Sequence, residues 1–290
     1  MRVVSQSSWS ALVVAISLSD STYRQLRLAR WSAPTYAAAM ILRPFLFAET
    51  ACASYLFGCL TVRKLAVVDP HEALVDAYLE EAERAAAPIV AVLETHVQAD
   101  QVSGLPALVE ATGATAYLPA GTAVDYEHEE LGDGAELELG NTRVRALATP
   151  GHAPAHNAYV VADLRRGDLE PWLVFTGDSL LVGDVGRPDL HAQGEPEALA
   201  YEQYASMRRL LQLPDEVLVL PSHYAGSVCG RSLSGNPFST IGFERRHNMA
   251  LAAGDADAFV RDLLVDVPPA PADQAAIVRA NRTGIAAARA

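Results

Sequence analysis

Lysine is nearly missing from this sequence. Of its 22 lysine and arginine residues only Lys64 is a lysine, and 35 acidic residues outnumber them all. No basic stripe interleaved with aromatic residues is present, which removes the electrostatic footprint of a nucleic-acid partner. The acidic balance itself implies no more than solubility. Cysteine is as scarce. Cys52, Cys59 and Cys229 stand at spacings that suit neither a zinc knuckle nor a disulfide framework. An odd, sparse count fits a reducing compartment, so a cytoplasmic location is expected. Buried, inert thiols are the commoner case, and no role is assigned to the three. No apolar run is long enough to cross a bilayer, and no repeat at a fixed period divides the chain.

What is there is a chain of 290 residues, half of them hydrophobic, which suffices for one large core. The first 39 residues differ from the rest, with four arginines, a single acid and a short apolar run from Ala11 to Leu18. They read first as a flexible extension upstream of Met40, second as a targeting segment and last as a membrane anchor. Residues 40–290 are expected to form one domain with helices at its C-terminal end.

From Met40 onward short apolar runs alternate with single helices. Strands are expected at Pro44–Phe47, Ser54–Cys59, Leu65–Val68, Ile89–Leu93, Thr115–Leu118, Thr142–Ala148, Ala158–Val161, Trp172–Phe175 and Val217–Leu220. Helices are expected near Leu74–Ala86, Leu105–Thr112, Pro196–Leu211, Ala256–Leu264 and Asp273–Arg279. Strands dominate each half, which favours two packed sheets with helices outside over a doubly wound parallel sheet.

Polar residues interrupt this pattern at a particular place. Four loops that directly follow apolar strands carry histidine or aspartate: Thr95-His96-Val97-Gln98-Ala99-Asp100-Gln101, Thr149-Pro150-Gly151-His152, Phe175-Thr176-Gly177-Asp178 and Leu220-Pro221-Ser222-His223. One such histidine is ordinarily a hydrogen-bonded loop residue, and an aspartate after glycine is often a turn former. Four together, all at strand ends, point to side chains converging on a metal ion, because one loop seldom surrounds an ion. Gly151 and Gly177 allow the tight turns that aim the next side chain inward. His156 matches no ligand position and reads as structural.

These stretches, with PFLFAETACASYLFGC, AVVDP, LETHVQADQVSG, TPGHAPAHNAYVV, VFTGDSLLVGDVGRPDL and LPSHYAGSVCGRSLSGNPFSTIGFERRHN, resemble the metallo-β-lactamase superfamily. The likeness is greatest to its persulfide dioxygenase branch and the relatives fused to rhodanese domains. The resemblance implies an α/β (α+β) architecture, the αββα sandwich, with the site at one edge. In two-metal hydrolases of this fold the first ion would use His96, position 98 and His152. The second would use Asp100, position 101 and His223, with Asp178 bridging. Here positions 98 and 101 are Gln98 and Gln101, and a neutral amide oxygen is a far weaker ligand than imidazole. What survives is His96, His152 and Asp178, the two-histidine, one-carboxylate set of non-haem iron(II) oxygenases.

The resemblance therefore implies one Fe(2+) per chain and oxidation of glutathione persulfide, or a similar low-molecular-weight persulfide, by O2 to sulfite. Coenzyme A, mycothiol or bacillithiol are other thiols that would carry the persulfide. A separate rhodanese-type sulfurtransferase is an expected partner, and neither nucleic acid nor membrane is. Gln98, Asp100, Gln101, Arg187, His223 and Tyr224 are expected to tether ligands or contact substrate. For Arg187 the competing expectation is an ion pair with Asp184 or Asp189. The Ser232–Thr240 loop is expected to line the pocket with Tyr224. The alternative enzyme is a glyoxalase II-like thioester hydrolase or other metallo-hydrolase with Zn(2+). Two glutamines stand against it, as does the expected absence of a basic C-terminal helical domain to hold a glutathione carboxylate. A third reading is a non-catalytic carrier that has kept the fold.

Overall fold

Strands that are apolar on both faces need cover on both faces, and that requirement organises the chain into layers. A computed structural model describes residues 40–167, 170–191, 196–225, 233–265, 267 and 269–284. The readings attached to residues 1–39, Cys229 and Ser232 lie outside the described residues. The first sheet runs, in spatial order, β1 (Met40–Phe47), β2 (Cys52–Cys59), β3 (Lys64–Val68), β4 (Ile89–Leu93), β5 (Thr115–Pro119) and β6 (Glu129–Leu131). Its first three strands are an antiparallel meander, and β3 to β6 are parallel.

The second sheet begins with β7 (Glu136–Leu139), β8 (Thr142–Ala148), β9 (Asn157–Asp163) and β10 (Leu173–Gly177). A separate ribbon of β11 (Leu180–Leu181) and β12 (Asp184–Val185) follows, and β13 (Leu218–Pro221) and β14 (Ser239–Thr240) complete the sheet in the order β14-β13-β10-β9-β8-β7. Within it β10 and β13 are parallel. The helices are α1 (Val75–Arg84), α2 (Leu105–Thr112), α3 (Pro196–Leu210), α4 (Ile241–His247), α5 (Ala256–Leu264) and α6 (Gln274–Thr283).

Strand periodicity sorts the apolar residues into three cores. Between the sheets lie Tyr55 and Phe57 of β2, Ala66 and Val68 of β3, Tyr159 and Val161 of β9, and Leu173 and Phe175 of β10. Their alternates on the first sheet, Leu56, Leu65 and Val67, pack outward against Tyr78 of α1 and Leu105 and Leu108 of α2. On the second sheet Val160, Val174 and Val219 pack against Ala200, Met207 and Leu210 of α3 and Phe259 and Leu263 of α5. The layers are helix, sheet, sheet, helix, as the resemblance implied.

The expected elements are present with shifted ends, and β1 starts four residues earlier than its apolar run, at Met40. Missing from the expectation are β6, β7 and α4, together with the two-residue strands β11, β12 and β14. The first two carry exposed glutamates (Glu129, Glu130, Glu136), so they offer almost no apolar signal. The third is seven residues long and follows a loop rich in serine and glycine.

Phe175 joins the sheets, with its ring 5.1 Å from that of Tyr55 and 4.9 Å from that of Phe57. Phe175→Ala is expected to cost about 3–5 kcal/mol through lost burial and a residual cavity. Urea unfolding measures it; a loss below about 1 kcal/mol would show that the inter-sheet core closes around the gap.

Candidate metal centre

Parallel pairing of β3 with β4, and of β10 with β13, brings the C-terminal ends of these strands to one edge of the sandwich. A buried carboxylate ties them there. Asp69, at the end of β3, accepts from the backbone N–H of Thr95 at 2.7 Å, from the Thr95 hydroxyl and from the Ser222 hydroxyl. Its φ of 48° is left-handed, a conformation aspartate tolerates better than most residues. Burial pushes its carboxyl up, although Ser222 and Thr95 pull it back. Thr95 and Ser222 immediately precede His96 and His223.

The structure brings His96, His152 and Asp178 together. Oδ2 of Asp178 lies 3.9 Å from Nε2 of His96 and 3.7 Å from Nε2 of His152, and all three side chains are buried. Each imidazole is fixed from behind. Nδ1 of His152 donates to the Arg187 carbonyl at 2.9 Å, so its Nε2 carries the lone pair. The Thr95 hydroxyl gives its proton to Asp69 and accepts from Nδ1 of His96 at 3.0 Å, which leaves Nε2 of His96 unprotonated as well. Burial drives both histidines below their ordinary pKa and keeps them neutral. Burial pushes the Asp178 carboxyl up, but His223, His152 and His96 outweigh it and hold the group well below the usual carboxylate range.

Nε2 of His152 and Oδ2 of Asp178 are buried without hydrogen-bond partners. Unpaired atoms at such depth are rare in a native protein. Their separations lie within reach of one ion bonded at about 2.0–2.2 Å to each donor. The donor set therefore fits a single metal.

His223 and Asp100 of the second position are otherwise engaged. His223 places Nδ1 2.7 Å from Oδ1 of Asp178 and Nε2 3.0 Å from Oδ2 of Asp100. One imidazole thus spans the two carboxylates that a second ion would need. Gln98 and Gln101 are buried, with amide atoms that have no hydrogen-bond partner. Cys52, to which the sequence assigned no role, lies beside them with Sγ 3.2 Å from Nε2 of His223.

The remaining expectations divide. Arg187 is buried and forms a two-point ion pair with Asp189, at 2.7 and 2.6 Å, so its guanidinium follows the competing expectation while its carbonyl braces His152. Tyr224 is partly buried against the inter-sheet core. His156 stacks on His96, with ring centroids 5.0 Å apart, and bonds the Thr149 hydroxyl through Nδ1 at 2.8 Å. Gln203 of α3, not anticipated, accepts from the His152 backbone N–H at 2.9 Å and donates to the Ser179 carbonyl. Gly151, at φ 139°, passes so close to α3 that a Cβ would sit 2.4 Å from the Gln203 Cα.

His191 was also not anticipated; it lies beside His96 and His152 and belongs to no strand-end loop of the kind read above. It borders a cavity of about 670 Å³ whose wall includes Arg279 and Arg282 of α6. The two arginines sit one helical turn apart, and α6 was legible only in part, to Arg279. The same helix reaches the first ligand loop, where Asn281 donates to the Gln98 and Gln101 carbonyls at 3.0 and 2.8 Å and accepts from the Ser103 N–H at 2.9 Å.

An αββα sandwich with histidine and aspartate donors gathered at its strand ends defines a metal-dependent enzyme class. The chain belongs to the metallo-β-lactamase superfamily, whose family model matches residues 49–223. It is similar to the structure of a metallo-β-lactamase from Staphylococcus aureus subsp. aureus COL (30% identity, TM-score 0.80, 85% of this chain and 73% of that one). It is also similar to ETHE1 from Myxococcus xanthus (30% identity, TM-score 0.72, 83% of this chain and 98% of that one). Among curated relatives, a hydroxyacylglutathione hydrolase from Chromohalobacter salexigens is 31% identical over 160 residues, 55% of this chain. The match spans 57% of that relative's length.

Two outcomes follow. Asn281→Ala leaves buried carbonyls unpaired, so it is expected to cost about 1–3 kcal/mol and to speed hydrogen exchange across residues 96–103. Unchanged exchange there would mean that α6 does not hold the loop. His156 and His191 are each lowered from 6.5 to about 3, by burial first and His152 second. The unfolded chain then binds more protons than the folded one between those values, so metal-free stability should fall as pH drops from about 6.5. Each of these histidines contributes on the order of 1 kcal/mol per pH unit in that window. Urea midpoints that stay level from pH 7.5 to 5 would contradict it.

Proposed function

We propose that the chain is a mononuclear metal enzyme that oxidises a low-molecular-weight persulfide, of the glutathione persulfide type, with O2. Persulfide, dioxygen and water give the thiol, sulfite and two protons. The observation that carries this reading is the place of His223 between Asp178 and Asp100, at 2.7 and 3.0 Å, with glutamine at positions 98 and 101. Of the histidines and carboxylates at the two positions, it leaves His96, His152 and Asp178 to bind an ion, a set suited to Fe(2+).

An iron held there would supply adjacent open positions for the substrate sulfur and dioxygen. The chain's own residues do the rest. Thr95 and the Arg187 carbonyl keep a proton on Nδ1 of each histidine and hold Nε2 toward the centre. His223 keeps its protons between Asp178 and Asp100 and so fixes which oxygen of Asp178 faces the ion. The burial of all three donors excludes water from competing at the site. Arg279 and Arg282, on the cavity wall, suit the carboxylates of a glutathione-type thiol.

A second reading, a zinc-dependent thioester hydrolase of the glyoxalase II kind, is favoured by the names of the curated relatives. The arginine pair suits a glutathione thioester equally well. Metal analysis after anaerobic purification, joined to O2 uptake on glutathione persulfide and cleavage of a glutathione thioester, separates the two. The expected result is about one iron per chain with O2 uptake. Two zinc ions with thioester cleavage would replace this reading by the second, and absence of bound metal would favour a non-catalytic carrier. His152→Ala is expected to abolish iron binding.

A further inference from the structure

One more imidazole faces the centre. The ring of His191, which follows Leu190 in the loop after β12, lies 5.3 Å from that of His152 and 5.8 Å from that of His96, edge-on to both. A donor atom from each of the three lies within 4.8 Å of the others. Nε2 of His191 is buried and has no hydrogen-bond partner. Histidines elsewhere have local uses: Nδ1 of His71 caps the turn at Ala73, and Nδ1 of His128 meets the Tyr126 carbonyl. His156 also has an unpartnered Nε2, but it stacks flat on His96 and does not belong to the converging group.

We propose that His191 is a fourth protein ligand of the metal and takes over the imidazole that Gln98 does not supply. This rests on the reading of His96, His152 and Asp178 as a metal site. An amide oxygen at position 98 is a weak donor, and a site of two histidines and one carboxylate gains most from another imidazole. Two bonds of about 2.1 Å span at most about 4.2 Å, so His191 closes on the ion by a small side-chain rotation. The other ligands sit on tight turns at strand ends, whereas His191 also borders the cavity that holds Arg279 and Arg282. It is the ligand that a substrate in that cavity touches.

Ligand number then bears on metal choice. Four protein donors close a tetrahedral zinc site, which leaves no position for substrate. A six-coordinate ion keeps two, as many as a persulfide sulfur and dioxygen require.

The test uses the full chain loaded with Cu(II) for pulsed EPR, which counts coordinated imidazoles, and with Fe(II) anaerobically for affinity. Three imidazoles are expected in the unaltered protein and two in His191→Ala. Fe(II) affinity in that variant should fall by more than the ~10–100-fold that losing a supporting group costs. Two imidazoles in the unaltered protein would overturn the proposal without any variant. Fe(II) affinity as high as that of the unaltered protein in both His191→Ala and His191→Phe, each shown to be folded by circular dichroism, would overturn it as well. His152→Ala separates the two levels: if it loses iron while His191→Ala keeps it, only the fourth ligand fails. If His152→Ala also keeps iron, the metal site itself is wrong.

Discussion

Everything at the strand-end edge depends on one buried carboxylate. Asp69 closes β3 and receives hydrogen bonds from two other strand ends, through Thr95 after β4 and Ser222 after β13. Those two donors sit next to His96 and His223, so one anion sets where two imidazoles stand. Burial raises the Asp69 carboxyl above the ordinary carboxylate range, and three donors offset part of that cost. A left-handed φ at Asp69 is the backbone condition for this arrangement, and it is tolerable because the surrounding bonds over-determine it.

From this anchor the site is built outward in a fixed order. Backbone carbonyls and hydroxyls take the Nδ1 protons, which sends the Nε2 lone pairs inward. Asp178 then divides its two oxygens, one to His223 and one to the centre. The same division explains why two glutamines are tolerated. With His223 already bonded to both Asp100 and Asp178, a second cation would have to displace it from both carboxylates. The cost of imidazoles at 98 and 101, in a pocket already crowded with His96, His152, His156 and His191, would be further burial of groups that compete for protons.

Much of the sandwich was legible because its strands are covered on both faces and so read as unbroken apolar runs. The edge strands β6 and β7 were not, since half-exposed glutamates replace that signal. The ligand trio was legible because each member stands directly after such a run. Asp69 stands there too, ending AVVDP, but a single acid before proline looks like an ordinary turn residue. Gln203 and Asn281 lie on helices whose sequence gives no hint of which loop they meet. His191 stands well past the two-residue strand β12 and directly after no apolar run, and only three-dimensional proximity reveals it.

Asn281 carries the last consequence. Its side chain bonds three backbone groups about 180 positions earlier in the sequence, inside the loop that carries His96, Gln98 and Gln101. The helix that lines the cavity with Arg279 and Arg282 thus also frames the loop that carries His96. A substitution that displaces α6 therefore frees three backbone groups of that loop at once.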